Sequence, residues 1–405
     1  MSREKRLKMK KLETGHLQQF NQLLRYVFQV TNQDLQKVGW EEREITLAKL
    51  PILEQADVLG WFDGDKLVSQ AAVYPFQVNI FGKLYAMGGL TGVGTYPEYA
   101  NLGLMHKLMK QTLSHMRERK QSVSYLYPYS IPYYRRKGWE IISDKMTFEV
   151  KDFQLPRAKK MPGEVERVDI SDKDIRAVYD QFARQSHAAM IRNNLAWEEY
   201  WRWDPEDMTA AVYYDEGRRP GGYVLYWISN EVFHIKEIVF THEEARRGLW
   251  NFISAHISMV TKVIGTTYTH EPLAFLLEDA DIKEAISPYY MARIVDLELF
   301  ISQYPFRPQA TEQLWTFRLN DPLLPWNEGV FTLHVASDGS AVLRREEKDR
   351  AQAELDIQTM TTMLLGYKRA DYLAKIRRIK CMEAGVVPLL EGLIDRQTPY
   401  FSDYF

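Results

Sequence analysis

Residues 90–140 constrain this chain more than any other stretch. They contain LTGVGTYPEYANLGLMHKLMKQTLSHM and, a few residues on, VSYLYPYSIPYYRRKGWE. The order predicts a glycine-rich strand over 87–95, a turn ending in Gly103, a helix over 102–119 and a second strand over 123–128. Leu104, Leu108, Leu113 and Met116 recur at helical spacing. Gly88, Gly89, Gly92 and Gly94 are more glycine than a strand held by its own side chains would carry. Close approach of another backbone-like group would account for them. A glycine turn feeding a helix start can hold a pyrophosphate, because backbone N–H groups point outward and the helix dipole favours negative charge. Pro128 and Pro132 then break the ladder, as expected where a parallel sheet splays open. Tyr134 follows on a short segment ending in Gly138-Trp139, well placed as an acid beside a ligand's reactive end.

This arrangement resembles the GCN5-related N-acetyltransferase (GNAT) family. The phrase Tyr133-Tyr134-Arg135-Arg136-Lys137-Gly138-Trp139 is similar to that family's Tyr-x-x-x-Gly-aromatic signature, whose Tyr faces the coenzyme A sulfur; Tyr134 takes that position. The resemblance implies that Val93, Gly94, Thr95, Ala100, Asn101, Gly103, Leu104 and His106 bind acetyl-CoA, with the glycine-rich strand approached by the pantetheine arm. The loop departs from the usual pattern. Ala100 stands where a Gln or Arg is expected, and only Gly103 of the motif is retained.

A length of 405 residues suggests two or three domains. Net charge −2 leaves no nucleic-acid footprint. The basic N-terminus lacks an apolar segment behind it, and no run reaches the ~18 apolar residues of a membrane span. A single cysteine, Cys381, excludes an internal disulfide and fits a reducing, cytoplasmic setting. It reads as a small buried hydrophobe in a helix-like run, since no His lies near it in sequence. The nine His residues form no metal-ligand spacing, so no metal is expected.

Hairpins are expected around Asp63-Gly64-Asp65 and Phe81-Gly82-Lys83, with residues 139–151 closing the first domain as an antiparallel strand. The plan recurs at residues 211–229, 232–240 and 250–260. There Arg246-Arg247-Gly248 looks like a pyrophosphate loop, but no Tyr-x-x-x-Gly-aromatic phrase follows. A duplicated, degenerate domain is the favoured reading. Residues 331–344 form a third hairpin, and Thr359 starts a helix over 359–365. The chain ends in QTPYFSDYF, too aromatic for a frayed terminus.

The fold class is therefore α/β (α+β): tandem GNAT-like mixed sheets over 1–155 and 156–296, then a sterol-carrier-protein-like α/β domain over 297–405. That order resembles the enhanced intracellular survival (Eis) family. The resemblance implies a homo-oligomer, possibly a hexamer, in which Tyr134 is the general acid and the Phe405 α-carboxylate the general base. It implies a polycationic amine substrate, aminoglycoside-like or polyamine, in an acidic, aromatic cleft. Candidates for that cleft are Asp34, Trp40, Glu41, Glu42 and Asp403. Two alternatives stay open: an acetyltransferase of protein lysines or N-termini, and a non-catalytic lipid-binding protein.

Overall fold

The computed structural model describes residues 6–37, 39–157, 159–201, 207–267, 272–347 and 350–405. These form three sheets. The first runs in the order Leu7–Lys11, Asp57–Asp63, Lys66–Ile80, Lys83–Thr95, Val123–Leu126, Met291–Ile294 and Glu140–Ile141. Lys83–Thr95 and Val123–Leu126 are parallel but pair only from Met87–Val123 to Gly89–Tyr125. Past Gly89 the pairing stops, so the sheet opens on a cleft. The helix Leu104–Glu118 crosses between the two strands and buries Leu104, Leu108, Met109, Leu113 and Met116.

One expectation fails here. Residues 139–151 do not close the first sheet. Asp144–Lys151 pairs instead with Lys262–Thr267 and Lys283–Pro288 in the second sheet. Met291–Ile294 takes its place, between Val123–Leu126 and Glu140–Ile141. The first two domains thus exchange strands. Packing decides the exchange. Phe148 and Val150 enter the core of the second sheet, while Met291, Ala292 and Ile294 enter the cores around the first.

The third sheet runs Ala341–Glu346, Gly329–Val335, Gln313–Asn320, Ala353–Asp356, Lys380–Cys381. Cys381 is exposed on its edge strand, neither buried nor helical. The expected helix start at Thr359 shifts to Ile357–Leu364, because Asp356 accepts the Thr359 N–H at 2.7 Å and is the N-cap. This helix ties the third domain to the exchanged strand. Thr361 Oγ1 accepts the Ile294 N–H at 3.1 Å, and Thr362 Oγ1 donates to the Ile141 carbonyl at 3.1 Å.

His187 joins all three domains. Its ring stacks on Phe81 at 3.6 Å, accepts the Phe81 N–H and meets the Leu365 carbonyl. Its own carbonyl accepts the Tyr400 N–H of the tail. Burial lowers its pKa to about 4, overriding the Leu365 hydrogen bond. A histidine depressed from 6.5 stabilises the fold above pH 6.5, and that stability drains away as pH falls toward 4. Stability should therefore fall by about 2 kcal/mol between pH 7 and pH 5 through this residue. Denaturant titrations at the two pH values would check it. His187→Asn should flatten the difference, and an equally steep fall in that variant would assign the acid sensitivity elsewhere.

Candidate active site

A cavity of about 1160 Å³ lies where the first two domains and the C-terminal tail meet. Val93, Gly94, Thr95, Met105, Tyr133 and Tyr134 line it from the first domain. Phe148, Phe240, Trp250, Leu273 and Leu276 line it from around the second sheet, and Pro399, Tyr400, Phe401, Ser402, Tyr404 and Phe405 contribute from the tail. The volume is at or beyond the upper end of the roughly 300–1,000 Å³ usual for small-molecule sites.

The glycine-rich strand shapes the first-domain wall. Its register against Lys66–Ile80 shifts between Gln70 and Ala72, and Gly92 takes φ +61°, a left-handed turn of the chain that makes the bulge. The other glycines serve packing. A Cβ at Gly88 would lie 2.8 Å from the Met116 sulfur, at Gly89 2.8 Å from Phe76 and 2.9 Å from Phe405, and at Gly94 2.9 Å from Val27. The room expected for a pantetheine arm at these three positions is taken by the protein's own side chains. Val93 and Thr95 remain on the cavity wall, with Thr95 hydrogen-bonded to Ser69 at 2.7 Å.

The turn beyond is built as the sequence suggested, but it lies outside the cavity lining. Asn101 and Gly103 have φ +62° and +68°. Gly103 is the N-cap of Leu104–Glu118 with no side-chain cap hydrogen bond, and open space surrounds it. Leu104 is buried, so only its backbone faces a ligand, and its carbonyl accepts from Trp61 Nε1. Ala100 is exposed and brings no charge. A cation comes from elsewhere: Lys137 Nζ lies 2.9 Å from His106 Nδ1 over the first turn of the helix. Burial, with Lys137 and Lys110 nearby, lowers the His106 pKa, which favours the neutral ring that accepts from an ammonium.

Tyr134 sits on the short helix Ile131–Arg135, with Pro132 in its first turn. It is buried, edge-on to Tyr133 at 5.2 Å and Trp139 at 6.1 Å. Burial, and secondarily Tyr133, raises its pKa, so the phenol stays protonated. All three domains hold the chain after it. Arg293, on the exchanged strand, donates to the Lys137 carbonyl and pairs with Asp321 of the third domain. Glu140 binds both Arg135 and Arg378.

The tail enters the same cavity. Phe405 is 6% exposed, its ring 5.1 Å from Phe76 and 5.3 Å from Tyr290, and its N–H donates to Tyr290 Oη at 3.1 Å. Asp403 anchors it. Its carboxylate pairs with Arg192 and accepts from Tyr179 at 2.8 Å, and its carbonyl accepts from Tyr289 at 2.9 Å. Arg192 also pairs with Glu237, and its guanidinium stacks on Tyr179 and Tyr200 at 3.7 and 3.9 Å. This clamp had no signal in the sequence beyond the tail's aromatic composition.

The expected acidic cleft is not where its candidates lie. Asp403 is buried in the clamp, and none of Asp34, Trp40, Glu41 and Glu42 lines the cavity. Asp34 caps Thr31, Glu41 belongs to a capping box with Glu44, and Glu42 pairs with Arg25. Among the described residues the lining holds six cationic side chains (Arg25, Lys49, Arg136, Lys145, Lys236, Arg246) and three carboxylate side chains (Asp144, Glu199, Glu237). Arg246-Arg247-Gly248 is no loop either. It lies inside the helix Glu243–Ser254, both arginines pair with Glu243, and a side chain at Gly248 would strike the Tyr213 ring. Among the described residues no cluster of His, Cys, Asp and Glu could hold a metal, and no helix is long and apolar enough to cross a membrane.

The open sheet, bulged strand and uncapped crossover helix define an acyl-coenzyme A-dependent transferase of GNAT type, and comparison with known proteins agrees. Models of the acetyltransferase (GNAT) domain match residues 8–142 and 188–294, and a sterol carrier protein domain matches 297–402. An uncharacterized N-acetyltransferase of Streptomyces avermitilis is 23% identical over 391 residues, spanning 90% of this chain and 92% of that protein. A solved probable N-acyltransferase of unknown function from Enterococcus faecalis is 29% identical, with TM-score 0.90 over 98% of this chain and all of that one. Eis1 from Mycobacterium abscessus shares the fold at 18% identity, with TM-score 0.80 over 98% of this chain and all of that one. The chain is an acyltransferase with tandem GNAT domains and a C-terminal sterol-carrier-protein-like domain.

Proposed function

We propose that this is an Eis-type N-acetyltransferase that moves acetyl from acetyl-CoA to an amine of a small molecule. The observation that carries the reading is a shared cavity: Phe405 lines the cavity that Tyr134 also lines. The amine nitrogen bonds to the acetyl carbonyl carbon as the carbon–sulfur bond breaks. The Phe405 α-carboxylate takes the amine's proton, and Tyr134 gives one to the departing thiolate. An α-carboxylate is a weak base in water, near pKa ~3.5. A carboxylate becomes a stronger base where it is desolvated, and the Phe405 ring packs among Phe76, Tyr290 and Phe401. Val93 and Thr95 flank the thioester arm, while the turn from Ala100 through Asn101 and Gly103 to Leu104 and His106 meets the pyrophosphate. Lys137 supplies the charge that Ala100 does not.

Thiol release from acetyl-CoA in the presence of amines tests the reaction, and Gly103→Glu tests the binding. That variant sets an anion at the helix start and forces a left-handed φ on a residue with a Cβ. Acetyl-CoA affinity should fall at least tenfold by calorimetry, since two opposed charges there exceed about 1.4 kcal/mol. An unchanged affinity would move the cofactor away from this turn.

A further inference from the structure

Resting on the amine-transfer reading, we infer that the acceptor is an amphipathic amine bearing a carboxylate, not a polycation. The lining includes the apolar side chains of Phe148, Phe240, Trp250 and Leu273. Its carboxylates are already engaged. Glu199, 6% exposed, lies 3.6 Å from Lys49 Nζ and accepts from Tyr74. Glu237 pairs with Arg192 and accepts from Tyr223 at 2.6 Å. Asp144 accepts the Tyr367 hydroxyl at 2.8 Å. A polyamine entering here would shed water from several ammonium groups and find these three carboxylates already taken. Buried charges left without partners are costly, so such an acceptor is disfavoured.

A single anion gains instead. Lys145 lines the cavity from the exchanged strand, and its ammonium stands 5.4 Å over the Tyr289 ring. An ammonium carries three N–H donors, so one turned to the ring face leaves others for an anion. Tyr289 is the residue whose hydroxyl holds the Asp403 carbonyl, so Lys145 flanks the tail. The acceptor's carboxylate therefore meets Lys145, its apolar body runs along the aromatic wall, and its amine reaches the Phe405 carboxylate. The charge-assisted contact orients the amine and selects the substrate class.

The test uses 4-(aminomethyl)benzoate, its uncharged carboxamide and spermidine as acceptors with acetyl-CoA. The benzoate should exceed both others in kcat/KM by about tenfold, the scale of a hydrogen bond to a charged group. Lys145→Met should bring the benzoate-to-carboxamide ratio close to one, and Lys145→Glu should invert it. Spermidine as the best acceptor, or a ratio indifferent to both substitutions, would overturn the inference. Calorimetric binding of the same probes separates the two layers of the argument. Carboxylate-selective binding that depends on Lys145, with no thiol released, would keep this inference and remove the transfer reaction. Binding without that selectivity would remove the inference whether or not thiol is released.

Discussion

Tyr134→Phe should lower turnover by about 10²–10⁴-fold, the usual contribution of a positioned general acid, with acetyl-CoA affinity retained. The substitution keeps the ring that Tyr133 and Trp139 hold edge-on and removes only the proton. A phenol whose pKa is raised by burial is a weaker acid than in water. The same desolvation makes the departing thiolate a stronger base, so the two stay matched. It follows that turnover should show no alkaline loss attributable to Tyr134 between pH 7 and pH 10. Steady-state rates across that range, with affinities from calorimetry, check both points. Near-full turnover in Tyr134→Phe would pass the acid role to Tyr133 or to water.

The segment that bears Tyr134 is held by all three domains. The helix Ile131–Arg135 is only five residues long and would be marginal alone. Its C-terminal side is fixed by the Lys137 carbonyl on Arg293, by Arg293 on Asp321, and by Arg135 and Arg378 on Glu140. Gln358, from the buried helix of the third domain, donates to the Arg135 carbonyl at 2.7 Å. The sterol-carrier-protein-like domain thus packs on the segment that bears Tyr134 and projects the tail into the cavity.

What was legible in the sequence follows the range of the interaction. The hairpins turning near Gly64, Gly82 and Gly339 were readable because a turn's chemistry is local: these glycines take φ +65°, +83° and +88°. The left-handed turn at Gly103 and the short helix around Tyr134 were readable because each is set within a few residues. The strand exchange was not. Asp144–Lys151 has the burial alternation of a strand with one face packed, which suits either sheet, and its partners lie more than a hundred residues away. Asp34, Glu41 and Glu42 were read as site anions although Thr31 and Glu44 stand at capping distance from the first two. Asp403 was misread for another reason. Its partners Arg192 and Tyr179 come from a remote domain, and nothing near residue 403 announces them.

Extending the chain past Phe405, even by one residue, should reduce acetyl transfer by about 10²–10⁴-fold, the loss expected for a general base. The added residue converts the α-carboxylate to an amide and puts bulk into a closed corner. Phe405 is packed against Phe76, Tyr290 and Phe401, and its ring fills the space that a side chain at Gly89 would need. Extension leaves that ring in place, so the melting temperature should change little. Deleting Tyr404-Phe405 is the poorer experiment. Phe405 belongs to the main core, and losing a buried Phe ring costs about 3–5 kcal/mol. The informative comparison is a C-terminal extension against an N-terminal one, each assayed for thiol release and thermal stability. The clamp supplies a second arm. Asp403→Asn unpairs Arg192 and should loosen the tail, lowering kcat while the carboxylate remains chemically intact. Equal activity in both extended forms would reduce the tail to packing and send the search for the base to Glu199, the buried carboxylate that also lines the cavity.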